Sequence, residues 1–192
     1  MATQAGQAAA PAQPRKKLWP TDTRTIVMLL MLGVAMNAVQ QFSERLDTML
    51  TGGTGFFIGH VTYTTLIMTA GILFGPMAFV VGVLSNLLSA LTATSPGAWY
   101  WVADNLWLGT VIGWVAYRIH VRENLWIRTV LLAVFVAFIV TPIDYAGLYL
   151  IVLKLPLGAA LVASLPYVAL TFLTIPLVVG LVKAIEAAKL GI

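Results

Sequence analysis

The chain has 192 residues, of which 60% are hydrophobic and only 9% are charged. Soluble domains carry roughly 25% charged residues, so the composition excludes a soluble globular protein and indicates a polytopic membrane protein. A helix crosses a bilayer with about 20 residues, so the chain has room for about six spans and no soluble domain. Cysteine is absent and the 11 Lys and Arg residues are spread along the chain, which argues against a disulfide framework and a nucleic-acid-binding patch.

The chain is predicted to consist of a membrane domain between two short tails. Residues 1–22 are rich in Ala, Gln and Pro and contain Arg15-Lys16-Lys17, but they have no apolar stretch or cleavage site of a signal peptide. They predict a disordered, basic cytoplasmic tail. Residues 23–185 form the predicted transmembrane domain, and residues 186–192 a cytoplasmic C-terminal tail.

The apolar segments predict an all-α integral membrane protein with six transmembrane helices. The spans are placed at 24–43, 57–75, 77–94, 98–117, 127–149 and 157–182. Spans two and three meet at Gly75-Pro76, with no charge nearby. Proline lacks an N–H and restricts the residue before it, so this pair predicts a very tight turn.

The distribution of basic residues predicts the orientation. With the N-terminus inside, the inner segments contain nine basic residues, Arg15, Lys16, Lys17, Arg24, Arg118, Arg122, Arg128, Lys183 and Lys189. The outer segments contain two, Arg45 and Lys154. This positive-inside bias predicts that both termini are cytoplasmic.

The first span ends in polar residues that share one helical face. Asn37, Gln40, Gln41 and Glu44 follow the i, i+3, i+4, i+7 spacing. Amides in membrane helices commonly form interhelical hydrogen bonds. A role in binding a ligand is the equally weighted alternative.

The second span opens with His60 and Tyr63 near the outer surface. His60 is a candidate ligand-binding or titrating residue, and a partly solvated interfacial histidine is the more common situation. The chain has only two histidines, and His120 is predicted on the inner side. A transition-metal site is therefore not expected.

The third and fourth spans add candidates on single faces. Asn86 follows Gly82 and Ser85 at helical spacing, and Tyr100, Asp104 and Trp107 share another face. At 1.5 Å per residue, Asp104 lies about 9 Å below the outer surface. A carboxyl group at that depth is expected to face protein, water or a ligand, because facing lipid would cost several kcal/mol.

The fifth span carries Pro142, which predicts a kink, followed by Asp144 and Tyr145. The intramembrane polar residues thus concentrate in the outer half, and the inner half is almost purely apolar. This asymmetry predicts a pocket open to the outside with a closed floor, since a channel would need polar lining throughout.

The sequence lacks the motifs of several enzyme classes. It has no P-loop, no G-x-S-x-G and no H-E-x-x-H. No enzymatic activity, metal or cofactor is expected.

The pattern resembles the substrate-binding S-component of energy-coupling-factor (ECF-type) vitamin ABC transporters. The similarity covers roughly residues 24–185 and is carried by the Gly71-Ile-Leu-Phe-Gly-Pro76 turn, the helix with Gly82, Ser85 and Asn86, the segment 111–118 and the Pro156-Leu-Gly158 opening. The resemblance implies six helices in a prokaryotic plasma membrane and an outward-facing vitamin pocket. It also implies a transmembrane T-component and two cytoplasmic ATPases as partners.

The resemblance further implies a docking face for the T-component on the first helix. Family members often carry Ala-xxx-Ala there, whereas this chain offers the small residues Gly33, Ala35 and Ala38. We expect these three residues to form the docking face.

The favoured function is capture of a small vitamin or vitamin precursor for ATP-driven uptake. Aromatic residues with two acids favour a flat, cationic ligand, either thiamine-like or a pyrimidine precursor, and the alternatives are riboflavin, a queuosine precursor or another piece of a cofactor. The alternative is a structural or assembly subunit of a larger membrane complex without its own ligand. The predicted substrate-binding residues are Asn37, Gln40, Gln41, His60, Tyr63, Asn86, Tyr100, Asp104, Trp107, Asp144 and Tyr145.

Overall fold

The computed structural model describes Trp19 and residues 22–52, 55–92 and 96–188, and these residues contain helices but no strand. The helices are α1 (Thr23–Thr51), α2 (Phe57–Phe74), α3 (Ala78–Thr92), α4 (Pro96–Arg118), α5 (Leu125–Phe135), α6 (Thr141–Ile151) and α7 (Leu157–Ala187). The predicted all-α class is confirmed for this part of the chain. Both predicted tails lie outside it, except for Trp19, Asp22 and residues 186–188.

Four stretches of the described residues are long and apolar enough to cross a membrane. They are Thr23–Thr51, Phe57–Leu87, Val121–Ile151 and Leu157–Ala187. The chain therefore has the helices of a multi-pass membrane protein. Helix α4 is 23 residues long, but it falls below this level of hydropathy because Asp104 and Asn105 lie near its centre.

Helix α1 is longer than the predicted span 24–43, and the predicted outer loop 44–56 is wrong over most of its length. Ser43 and Asp47 are buried against the protein instead of lying in a loop. The Asp47 carboxylate accepts hydrogen bonds from the N–H groups of Ile58 (2.8 Å) and Gly59 (2.6 Å) at the start of α2. The polar end of α1 thus satisfies backbone donors that α2 cannot satisfy itself. The helix ends at Gly52, whose φ of 66° favours glycine.

The turn predicted at Gly75-Pro76 is a single 3₁₀ turn, Gly75–Met77, between α2 and α3. Gly75 has a φ of 62°, a conformation that glycine adopts without a steric cost. On α4, a Cβ atom at Gly113 would collide with the backbone of Gly75 and Pro76. Helix α4 therefore packs directly on the backbone of the turn, which only glycine permits.

Helices α5 and α6 form one rod through the π-helical segment Val136–Val140. Pro142 follows this segment and has no N–H to donate, so the hydrogen-bond pattern must change around it. The predicted irregularity at Pro142 is thus a π-helical segment within a helix that continues to Ile151. Asp144 and Tyr145 lie two and three residues beyond the proline and are both buried.

The core of the described residues is apolar and is shared by α1 to α5 and α7. Leu29, Met68, Ile112, Leu132 and Val178 are among its fully buried side chains. At one end of the bundle, Arg122 forms an ion pair with Glu186 at 2.7 Å. This pair joins the 3₁₀ turn Val121–Asn124 to the end of α7, so the basic residues of these segments lie at the same end.

Candidate functional site

A cavity of about 570 Å³ lies at the end of the bundle opposite the Arg122–Glu186 pair. It is formed by the C-terminal half of α1, the start of α2, α3, the start of α4 and the end of α6. The predicted residues that line it are Gln40, Gln41, His60, Tyr63, Asn86, Asp144 and Tyr145. Their side chains come from four helices that the sequence separates by up to about a hundred residues.

His60 is buried, with 4% of its surface exposed, so the interpretation as a solvated interfacial histidine is wrong. Its Nδ1 lies 3.1 Å from the Tyr145 hydroxyl and its Nε2 lies 3.0 Å from Thr171 Oγ1. These contacts join α2 to α6 and α7 beside the cavity.

The partners of His60 belong to a wider hydrogen-bond network. The Thr171 hydroxyl also donates to the carbonyl oxygen of Tyr167 at 2.9 Å and lies 3.3 Å from the Thr141 hydroxyl. A neutral imidazole donates through one ring nitrogen and accepts through the other, so His60 can pair with both Tyr145 and Thr171. The Tyr145 ring also stacks on Tyr167, with centroids 3.7 Å apart. Tyr145 thus lines the cavity on the α6 side, and Tyr167 of α7 stacks against it from behind.

Asp104 and Asp144 form a buried pair of carboxyl groups. Their side chains lie within hydrogen-bonding reach of each other. Each residue is 5% exposed. Asp104 Oδ1 also accepts a hydrogen bond from Trp107 Nε1 at 2.6 Å. Of the two, only Asp144 lines the cavity, so Asp104 lies behind it.

Four predicted residues, Asn37, Tyr100, Asp104 and Trp107, do not line the cavity. Asn37 Nδ2 donates to the carbonyl oxygen of Ser85 and so joins α1 to α3. The Tyr100 hydroxyl donates to the carbonyl oxygen of Asp144 at 2.7 Å and joins α4 to α6. These residues brace the helices that carry the lining, as in the interhelical alternative raised for Asn37.

Glu44 lines the cavity and was left out of the predicted site. Its Oε1 accepts a hydrogen bond from Gln40 Nε2 at 3.2 Å. Glu44 shares the helical spacing of Gln40 and Gln41, but it was placed in the predicted loop 44–56 and therefore not in the site. A prediction with a longer α1 would have included Glu44.

Several aromatic and apolar lining residues were also missed. They are Phe56, Gly59, Gly97, Ala98, Trp101, Leu148, Tyr149, Val152 and Leu153. A tryptophan at the end of a span commonly anchors it at the membrane interface, a role that fits Trp99, which is 50% exposed. Helical phase separates the two tryptophans, because they lie on opposite sides of α4.

The lining is acidic. Among the residues described around the cavity, Glu44 and Asp144 are acidic, and neither Lys nor Arg occurs. The described residues contain no group of three or more His, Asp or Glu side chains arranged to hold a metal ion. The cavity therefore favours an uncharged or cationic organic ligand.

The three residues expected to form a docking face do not share one surface. Gly33 is buried in α1, and a Cβ atom there would lie 2.7 Å from Leu84 Cβ on α3. Ala35 and Ala38 are exposed. Gly33 thus allows α1 to pack closely on α3, because Leu84 of α3 lies directly against its backbone.

Comparisons with protein-family models, curated proteins and solved structures find no match to this chain.

Proposed function

We propose that the chain is the substrate-binding S-component of an ECF-type vitamin uptake system. It captures a small vitamin or vitamin precursor from outside a prokaryotic plasma membrane. A transmembrane T-component and two cytoplasmic ATPases then drive uptake. In this proposal the bundle has six spans with both termini cytoplasmic, and α4 is the least apolar span.

The cavity is the observation that carries the proposal. Its volume of about 570 Å³ lies within the roughly 300–1,000 Å³ of small-molecule sites. Its wall combines aromatic rings with a few polar groups, the composition that orients a small ligand. A flat, thiamine-like or pyrimidine ring suits the aromatic lining residues Trp101, Tyr145 and Tyr149 and the acidic lining.

Native mass spectrometry of gently purified protein tests the proposal. We expect a retained small molecule on the wild-type protein. Ala98→Trp places an indole in the cavity and should abolish retention. Ala169→Trp is the matched control, because Ala169 lies on the exposed surface of α7 and should leave retention unchanged. Absence of any bound molecule, together with no binding of added vitamins, would contradict a substrate-binding role.

An assembly subunit without a ligand is the second candidate function. It is favoured by the side chains that join helices, such as Asn37 to Ser85 and Tyr100 to Asp144. On this alternative, Ala98→Trp would leave the function of the complex intact, whereas substitutions at the exposed helix surfaces would disrupt it.

A further inference from the structure

The contact between Asp104 and Asp144 raises the question of what balances their charge. Asp104 Oδ2 and Asp144 Oδ1 are buried and have no hydrogen-bond donor. Asp144 is 5% exposed and lines the cavity, so the pair lies at the cavity wall. Trp107 supplies a single N–H to Asp104.

The other titratable groups around the pair do not neutralise it. Tyr63 on α2, Tyr100 on α4 and Tyr145 on α6 are the groups that interact electrostatically with it. Tyr100 donates its proton to the carbonyl oxygen of Asp144, and Tyr145 lies against His60 Nδ1. The remaining titratable residues of the cavity lining are Glu44, His60 and Tyr149, and none of them is a Lys or Arg.

Two carboxylates in contact repel strongly where water is scarce, and one proton shared between them removes most of that repulsion. We propose that Asp104 and Asp144 share one proton in the empty cavity and that a cationic organic ligand displaces this proton when it binds. This inference rests on the proposed function, because it names the substrate class of the same cavity.

The exchange balances in charge. The protonated pair carries one negative charge. When the ligand cation binds at Asp144, the shared O–H bond breaks and the proton leaves through the cavity to external water. Two carboxylates and one cation again sum to one negative charge. The buried site therefore never holds two uncompensated charges, which would be far more costly.

The exchange predicts a direction for pH dependence. Because the cation and the proton compete for the same pair, affinity for the cation should rise as pH rises. With one proton released per ligand, the rise is about tenfold per pH unit. It should level off once the empty pair has itself lost the proton. A neutral ligand should show no such dependence.

Infrared spectroscopy of the ligand-free, full-length protein tests the shared proton independently of any ligand. At neutral pH we expect the C=O stretching band of one buried protonated carboxyl group. Asp104→Asn and Asp144→Asn should each remove it, because an amide donates to the remaining carboxylate without a shared proton. Asp22→Asn, which removes an exposed carboxylate, should leave it unchanged. Absence of the band in the wild type, or its survival in either pair variant, would overturn the shared proton.

Binding of thiamine, which carries a permanent positive charge, tests the exchange. In weak buffer we expect release of about one proton per thiamine bound. Asp144→Asn should abolish the release and weaken binding by roughly 10- to 150-fold. Riboflavin, which is neutral, is the control and should release none. Thiamine binding without proton release, or no thiamine binding, would overturn the exchange. The proposed function fails separately, if native mass spectrometry finds no ligand of any charge.

Discussion

At the scale of single residues, His60 shows how the partners of a side chain determine its role. Its two nitrogens have different partners, the Tyr145 phenol and the Thr171 hydroxyl. His60 therefore connects three helices as well as lining the cavity. A residue with both roles should respond to substitution in stability and in binding.

A double-mutant cycle between His60 and Tyr145 should measure this connection. Tyr145→Phe removes the hydrogen-bond partner of Nδ1, and His60→Phe removes that partner of the Tyr145 hydroxyl. Each change should lower the free energy of unfolding by about 1–3 kcal/mol, because a buried polar group loses its partner. The double variant should lose less than the sum of the two. Thermal unfolding in detergent gives these values, and strict additivity would show that the two residues are not coupled.

Gly113 and Gly180 provide a contrast between two glycines in helices. Gly113→Ala adds a methyl group where α4 touches the backbone of the turn, so we expect a loss of about 1–3 kcal/mol. Gly180→Ala in α7 meets no atom within 4 Å and should be neutral or stabilising by up to about 1 kcal/mol through helix propensity. Unfolding of the two variants side by side measures both effects. Equal stability of the two variants would contradict direct contact at Gly113.

At the scale of helices, the apolar patterns and the Gly75-Pro76 pair were sufficient to locate most elements. The end of α1 could not be predicted, because Glu44 and Asp47 read as loop residues unless their partners are known. Asp47 is buried only because α2 presents two unsatisfied N–H groups to it. A hydrogen bond between residues on two different helices leaves no periodic pattern in the sequence.

The sequence could predict those residues of the candidate site that lie on a common face of one helix. Gln40, His60 and Asp144 were found because polar residues within a span are unusual. Tyr100 was misassigned as a contact residue, since a face shared with Asp104 does not reveal whether it meets a cavity or a neighbouring helix. The pairing of Asp104 with Asp144 across α4 and α6 is likewise a property of helix packing.

The exposed surface of α1 carries the prediction on partner docking. With Gly33 buried, Ala35→Leu together with Ala38→Leu should block assembly with the T-component, because bulky side chains prevent close helix approach. Uptake should be lost while ligand binding by the isolated subunit is retained. Ala169→Leu on the exposed surface of α7 is the matched control and should support normal uptake. Normal uptake by the α1 double variant would place docking elsewhere.

At the scale of the whole molecule, orientation follows from the position of the cavity relative to the basic residues. The Arg122–Glu186 pair lies at one end of the bundle. Arg118 at the end of α4, Arg128 near the start of α5 and Lys183 near the end of α7 lie at the same end. The cavity lies at the other end. If the bundle spans the membrane as proposed, the positive-inside rule predicts that the cavity opens to the outside.

Reporter fusions at Ile192 and in the connection between Gly52 and Phe56 test this orientation. We expect the C-terminal reporter on the cytoplasmic side and the reporter in the connection on the outer side, because α7 and α1 end at opposite ends of the bundle. An additional reporter after Arg118 should match the C-terminal one if α4 crosses the membrane. Reporters at Ile192 and in the connection on the same side would contradict six spans.

The three-residue turn between α2 and α3 has a consequence for how the chain is made. Helix α3 begins only three residues after α2 ends, so no long loop separates the two helices. If α2 and α3 each cross the membrane as proposed, we expect them to be inserted together as one hairpin. Helix α4, which is synthesised next, would then pack Gly113 against the backbone of that turn. On the proposed topology, the turn between α2 and α3 would thus set the order in which these helices assemble.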